Sequence, residues 1–281
     1  MTYLRRVPSA PLDRYIIHLY YLDGRMPYSR ERILPVPQLD LKINLGGAFQ
    51  IDADGQAKAP QRLTESWFVG MYDVYHTLDW PEDMRVYGVR FKAGGAYPFL
   101  GLPMTELYNR VVPLDAVWGR FAAEVQERLC AAPTIEAGLA LFEQLMQSRL
   151  YDEPYGQNIV EYGITEIDRQ HGSLSIKRLS DQIGISQNHL GTQFKRVVGT
   201  TAKELAQLYR FEHVLRSIRP TGPTNWTRIA IRCGYYDQSH FNKTFLAFTG
   251  YSPTDYLRFR RRVSPENSPV HQLSLRNLPV D

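Results

Sequence analysis

Two stretches of the chain, Gly184–Gly199 (GISQNHLGTQFKRVVG) and Gly234–Gly250 (GYYDQSHFNKTFLAFTG), share one arrangement. In each stretch a glycine comes first, an apolar residue stands four positions before a phenylalanine, and that phenylalanine stands five positions before a second glycine. Each stretch also follows a short amphipathic segment. Because a helix, a tight turn containing glycine and a second helix define a helix-turn-helix, the sequence predicts two such motifs. A helix-turn-helix usually places its second helix in a DNA major groove.

The composition is that of a folded protein with two domains. The chain has 281 residues, of which 43% are hydrophobic and 12% aromatic. We find no run of about 18 apolar residues and no signal-peptide core, so we expect a cytoplasmic protein with no membrane segment. Cys130 and Cys233 lie on apolar helix faces, which predicts small buried side chains rather than a disulfide or a metal site.

Positive charge is concentrated in the part that carries the repeat. Residues 157–265 hold 16 Lys or Arg against 8 Asp or Glu, whereas residues 1–156 hold 16 against 19. A basic module is what binding to a polyanion requires, although ordinary solvated surfaces also carry such charge.

The first 112 residues have the short alternating runs and turn residues of β-strands. An Asp-Gly pair within Ala53–Gln56 predicts a hairpin turn. Short strands with regular turns predict a small β-barrel or sandwich. The strands that we predict are Arg14–Leu22, Leu39–Leu45, Trp67–Val69 and Arg85–Phe91.

Two amphipathic helices are predicted next, at Pro113–Ala131 and Thr134–Tyr151. They form either an antiparallel pair packed on the barrel or a dimer interface. Residues 151–157 are polar and contain Pro and Gly, so we expect an interdomain linker there. Residues 263–281 are rich in Ser, Pro and Asn and predict a disordered tail.

In the first copy of the repeat, the predicted supporting helix is Ile176–Ile183 and the predicted recognition helix is Gln187–Val198. If Leu190 and Phe194 face the core, polar side chains on the opposite face are left for DNA. These are Asn188, Thr192 and Lys195.

In the second copy, the predicted supporting helix is Trp226–Cys233 and the predicted recognition helix is Gln238–Phe248. Its outward face is better equipped for base readout, because Gly191 leaves the first face with one side chain fewer. A long helix at Thr201–Ile218 is predicted to hold the two recognition helices about one DNA turn apart. The outward side chains of the second copy are Gln238, Ser239, Asn242 and Lys243.

Residues 158–262 resemble the AraC/XylS family of transcription regulators. The family signature is matched by Ile229-Ala230, Gly234-Tyr235, Phe241 to Phe245, and Gly250-Tyr251-Ser252-Pro253-Thr254-Asp255-Tyr256. This resemblance implies a helical module with both recognition helices on one DNA face. The sequence departs from the family at Leu246 and Leu257, where a basic residue is common, so a phosphate contact could be lost or moved to Arg258.

The N-terminal part is similar, more loosely, to a cupin-like sensor domain of some family members, through Gly88–Ala96 and Arg110–Asp115. The resemblance implies regulation by a small molecule or a partner. Only His18 and His76 occur in this half and no His-x-His is present, so we predict neither a metal nor a cofactor. Aromatic residues with a few polar groups could form an effector pocket, although each could equally be core. The candidates are Trp67, Tyr72, Tyr75, His76, Arg90 and Tyr97.

The sequence therefore predicts an α+β protein of two domains: a cupin-like β-barrel with a helix pair (residues 1–151) and an all-α double helix-turn-helix (residues 158–262). The predicted function is a sequence-specific DNA-binding transcription regulator, not an enzyme. The alternatives are a non-specific architectural DNA binder and a cupin-type enzyme with a DNA-anchoring domain. The expected partner is double-stranded promoter DNA. RNA polymerase, a small-molecule effector and a second copy of the chain are further candidates.

Overall fold

The computed structural model describes residues 1–52, 60–151, 157–218, 223–263 and 277–280. Within them, antiparallel strands dominate the N-terminal half and helices the C-terminal half, which confirms the α+β prediction. The strands are β1 (Thr2–Arg6), β2 (Ile16–Gly24), β3 (Arg30–Ile33), β4 (Leu39–Asn44), β5 (Phe49–Asp52), β6 (Gln61–Leu63), β7 (Trp67–Val69), β8 (His76–Asp79), β9 (Met84–Phe91), β10 (Val111–Pro113) and β11 (Asn277–Pro279). The helices are α1 (Tyr97–Leu100), α2 (Leu114–Trp118), α3 (Arg120–Cys130), α4 (Ile135–Ser148), α5 (Gln157–Arg169), α6 (Ile176–Ile183), α7 (Gln187–Val198), α8 (Ala202–Ser217), α9 (Trp226–Arg232), α10 (Gln238–Thr249) and α11 (Pro253–Val263).

The strands form two sheets that enclose an inner core. One sheet has the order β1-β2-β9-β4-β7-β10 and the other β11-β3-β8-β5-β6. The period-two alternation of β4 sends Leu41 and Ile43 away from the space between the sheets and Asp40 and Lys42 towards it. The inner core between the sheets contains Tyr20, Phe49, Trp67, Leu78 and Val86, among others.

An outer core covers the other face of the first sheet and continues into the helical half. Leu41 and Val89 of the sheet pack there with Leu139 and Phe142 of α4. The apolar stripe of the predicted helix pair is therefore buried within its own chain, as the barrel-packing alternative expected.

The first helix of that pair is interrupted, which the sequence analysis did not expect. Pro113 belongs to β10, and the helical run breaks at Gly119, whose φ of 55° and ψ of −132° suit glycine alone. The indole N–H of Trp118 donates to the carbonyl of Phe99 at 2.9 Å, which anchors the end of α2 before α3 begins. Because the apolar stripe runs on through the break, periodicity could not show it.

At residues 277–279 the structure differs from the prediction of a disordered tail over residues 263–281. Val263 ends α11, and Asn277–Pro279 form β11, which pairs antiparallel with β3 and opposes Leu278 to Arg32. Leu278 is fully buried. A strand that joins a sheet formed more than 200 residues earlier depends on long-range pairing, which local composition does not reveal. The predicted hairpin turn at Ala53–Gln56, most of the predicted linker and residues 264–276 lie outside the described residues.

Candidate nucleic-acid interface

The recognition helix of the second copy, α10, is fixed at its start by a side-chain cap. The Asp237 carboxylate accepts a hydrogen bond from the backbone N–H of His240 at 2.7 Å, which satisfies a helix donor that would otherwise lack a partner. Phe241 and Phe245 are buried, as their spacing predicts. The four predicted readers on the opposite face are exposed: Gln238, Ser239, Asn242 and Lys243.

Three of these four readers line a groove on the protein surface. Gln238, Asn242 and Lys243 share it with Trp226 of α9, with Leu246 and with the start of α11. Leu246 is 52% exposed, although it is a large apolar side chain. It extends the stripe of Gln238 and Asn242 by one more turn, so the second recognition face combines amides, a cation and an apolar surface.

The recognition helix of the first copy, α7, has the same construction. Ser186 caps it by accepting from the N–H of His189 at 3.1 Å, and Leu190 and Phe194 are buried. Asn188, Thr192 and Lys195 are exposed, as predicted. The Thr192 hydroxyl donates to the carbonyl of Asn188 at 3.0 Å, so its hydrogen is engaged within the helix. Thr192 therefore offers DNA its methyl group and its oxygen lone pairs.

The two copies share one core through the connecting helix α8. A capping box at Thr201 and Glu204 begins this helix. Phe211 of α8 contacts Phe245 and Phe248 of α10, with ring centroids 5.7 and 4.9 Å apart. At 1.5 Å per residue, α8 is about 24 Å long, so it is a rigid spacer between the two motifs.

Arg258, the side chain to which a phosphate contact could have moved, is paired with an acidic residue. Arg258 lies 2.8 Å from Asp255, and both side chains are exposed. Leu257, where the family often has a basic residue, is buried. Exposed pairs of this kind are worth about 0–1 kcal/mol, so DNA can compete for Arg258.

The structure brings four of the six predicted effector residues together. Trp67, Tyr72, His76 and Arg90 line a cavity of about 110 Å³ between the two sheets. The other two lie elsewhere, which corrects their assignment. Tyr75 packs against Arg32 at the junction of the two halves, and Tyr97 lines a separate groove beside Arg196 of α7.

Sequence reasoning missed two charged residues of the cavity, Asp40 and Lys42, which both lie on β4. Arg90 donates to both carboxylate oxygens of Asp40, at 3.1 and 2.8 Å, and Lys42 donates to the Tyr20 hydroxyl at 3.1 Å. Burial favours the neutral acid, but Arg90 and Lys42 outweigh it and hold the pKa of Asp40 below its usual range. Burial, and next the charge of Arg90, lower the pKa of His18 to about 4. The alternation of β4 in the sequence was the signal that could have found Asp40 and Lys42.

A second missed feature joins the two halves of the molecule. The guanidinium of Arg32 lies 4.1 Å from the ring centroid of Tyr75 and 4.6 Å from that of Tyr251. Its Nη1 donates to the carbonyl of Thr249, the last residue of α10, at 2.9 Å. A Cβ on Gly250 would stand 2.5 Å from Nη1, so the approach requires glycine. We call Arg32, Tyr75, Tyr251 and the Thr249 carbonyl the arginine clamp.

Neither a metal site nor a membrane span is found in the part of the chain that the structure describes. No three His, Cys, Asp or Glu residues there are grouped so that they could hold a metal ion. No helix there combines the length and the apolar character needed to cross a bilayer.

Comparison with known proteins matches two parts of the chain to domain families. Residues 179–259 match the model of a helix-turn-helix domain, and residues 4–113 match that of a domain of unknown function (DUF6597). Curated relatives include uncharacterised HTH-type transcriptional regulators of Staphylococcus aureus strains MSSA476 and MRSA252. Each is 31% identical over 86 residues, which is 31% of this chain and 11% of the relative.

Solved structures that the chain matches include ToxT from Vibrio cholerae O395. The TM-score is 0.44 at 10% identity, over 85% of this chain and 97% of that one. The C-terminal domain of AraT, a response regulator from Geobacillus stearothermophilus, gives 0.35 at 24% identity over 41% and 96%. The DNA-binding domain of AdpA in complex with a target DNA gives 0.34 at 18% identity over 39% and 96%. Residues 179–259 therefore carry a helix-turn-helix domain by their match to that family model, and the double motif around them resembles the AraC/XylS family.

Proposed function

We propose that this chain is a sequence-specific DNA-binding transcription regulator that acts in the cytoplasm. The observation that carries the proposal is the pair of matched recognition faces. Helices α7 and α10 each bury an apolar stripe and expose amide, hydroxyl and lysine side chains, the groups that read base edges. The curated relatives that share this domain are named as transcriptional regulators, which supports the same function.

We expect the two faces to meet successive major grooves on one side of a DNA duplex. Successive major-groove faces on one side lie about 34 Å apart, and α8 supplies roughly 24 Å of rigid separation before the widths of the packed helices are added. The aromatic contacts of Phe211 hold the second motif on α8. Both recognition helices therefore enter DNA as one unit.

A sequence-selection experiment on the purified full chain at physiological salt tests this function. The expected result is an enriched motif of two blocks about one helical turn apart. A sequence-specific binder should prefer this motif over scrambled DNA by roughly 4–10 kcal/mol. Equal affinity for scrambled DNA would favour the architectural alternative and would refute sequence-specific regulation.

The cavity between the sheets is the proposed effector site. It is lined mainly by aliphatic and aromatic side chains with a few charged groups, as small-molecule sites usually are. At about 110 Å³, the cavity is smaller than the engineered 150 Å³ cavity that binds benzene, so we expect a small effector.

Strand β3 is the proposed route from the effector site to the DNA-binding half. Glu31 and Ile33 of this strand line the cavity, while Arg32 between them forms the arginine clamp. A ligand that binds one arrangement of β3 better than another would shift the equilibrium between the corresponding positions of the second helix-turn-helix. The size of that shift is set by the difference in the ligand's affinity for the two arrangements. RNA polymerase and a second copy of the chain remain further proposed partners.

A further inference from the structure

A hydrogen bond joins the supporting and recognition helices of the second motif at their exposed edge. The Thr227 hydroxyl of α9 donates to the side-chain Oε1 of Gln238, the first residue of α10, at 2.9 Å. Both side chains are exposed, and Gln238 lines the groove described above. The pair therefore lies on the proposed DNA-binding face.

The supporting helix holds Thr227 in a fixed place relative to α10. Trp226, the preceding residue, stacks on Phe241 with ring centroids 6.1 Å apart and meets Phe245 edge-on at the same distance. These contacts fix α9 against α10, so the hydroxyl of Thr227 is presented to Gln238 before DNA arrives.

This bond changes what Gln238 offers to a base. A glutamine that reads adenine bidentately accepts from N6 with its oxygen and donates to N7 with its nitrogen. Here Oε1 is turned towards Thr227, and Nε2, bonded to the same carbon, points away from it. One lone pair of Oε1 is thereby engaged, so the amide offers a base chiefly its two N–H donors. Guanine presents two adjacent acceptors, N7 and O6, in the major groove.

We propose that Thr227 is a specificity-positioning residue, which presets Gln238 as a hydrogen-bond donor and so favours guanine over adenine at one operator position. The proposal rests on the proposed function, since it requires α10 to enter the major groove. The first motif has Lys177 and Gln187 at the equivalent places, so the same preference is not expected of that block.

The test compares full-length wild type with Thr227→Val, which replaces the hydroxyl by a methyl group of similar size. After selection of the operator, affinities are measured for duplexes that carry each base at the position lost in Gln238→Ala. Wild type should prefer guanine there, and Thr227→Val should reduce the guanine-to-adenine affinity ratio about tenfold, within the range of one bidentate contact. Thr165→Val, which removes an exposed hydroxyl from α5 outside the groove, is the control and should leave the ratio unchanged.

A double variant separates positioning from a structural role. If Thr227 acts through Gln238, Thr227→Val should have no further effect on base preference in a Gln238→Ala background. An adenine preference in wild type would overturn the proposal. So would a Thr227→Val protein that binds all sequences more weakly by the same factor. A wild-type selection without any motif would instead contradict the proposed function itself.

Discussion

Asn242 is the residue on which base readout by α10 can be tested most directly. It is exposed and lies one turn from Gln238 on the same face, inside the groove. We expect Asn242→Ala to relax the base preference at a single position of the second block and to cost roughly 1–3 kcal/mol for the preferred base. Affinities for operator duplexes with each base at that position measure this.

The control for Asn242 is Glu127→Ala, an exposed change on α3 in the N-terminal half. It should leave the whole preference table as in wild type. If Asn242→Ala weakened binding to every sequence by the same factor, Asn242 would be a backbone contact and its assignment as a base reader would be wrong.

A second residue-scale prediction concerns His18 in the cavity. Burial and Arg90 lower its pKa from 6.5 to about 4, so between these values the unfolded chain binds a proton that the folded chain excludes. The contribution of His18 to stability is therefore complete above pH 6.5 and is lost as the pH falls towards 4. We expect His18→Phe to show a smaller fall of Tm over this range than wild type.

The matched control is His189→Gln, which changes an exposed histidine on α7. It should retain the wild-type slope of Tm against pH. A His18→Phe protein with the same slope as wild type would show that another group causes the loss.

At the scale of elements, the sequence predicted best what local chemistry determines. The bounds of α6 and α7 are those predicted, because a capping serine, a turn glycine and apolar residues at helical spacing specify them without help from the rest of the chain. Strand β11 and the break at Gly119 were missed, because each depends on contacts with residues distant in sequence. The same holds for Tyr75, whose environment is set by Arg32 and the second motif.

Strand β11 supplies a prediction at this scale. Leu278 is fully buried at the edge of the second sheet, so Leu278→Ala should lower the free energy of unfolding by roughly 2–5 kcal/mol, as buried leucines usually do. Urea unfolding measures this. Val280→Ala, beyond the strand and partly exposed, keeps its backbone bond to Arg30 and should cost much less. Equal effects of the two changes would mean that β11 is not docked in solution.

At the scale of the whole molecule, β3 is where three parts of the protein meet. One side of the strand lines the cavity, and its Arg32 holds the end of α10. The edge of the strand pairs with β11, which follows the helix-turn-helix motifs in the chain. The two halves also meet at Arg14, whose guanidinium lies 2.7 Å from Glu161 of α5. That pair is exposed, whereas the arginine clamp fixes backbone at the end of a recognition helix. The clamp is therefore the contact through which the N-terminal half can orient the second motif.

The last prediction tests this orientation. Arg32→Ala should speed amide hydrogen exchange around Phe245–Gly250, because the Thr249 carbonyl loses its partner and α10 its anchor. A second motif that is no longer held in place loses more conformational entropy when it binds DNA. Affinity for the two-block operator should therefore fall by about fivefold. Affinity for DNA that carries the first block alone should not change. Arg14→Ala, which breaks the exposed pair between the halves, should alter neither exchange in α10 nor two-block affinity. Tighter operator binding by Arg32→Ala would show instead that the clamp opposes DNA binding and that the effector must release it.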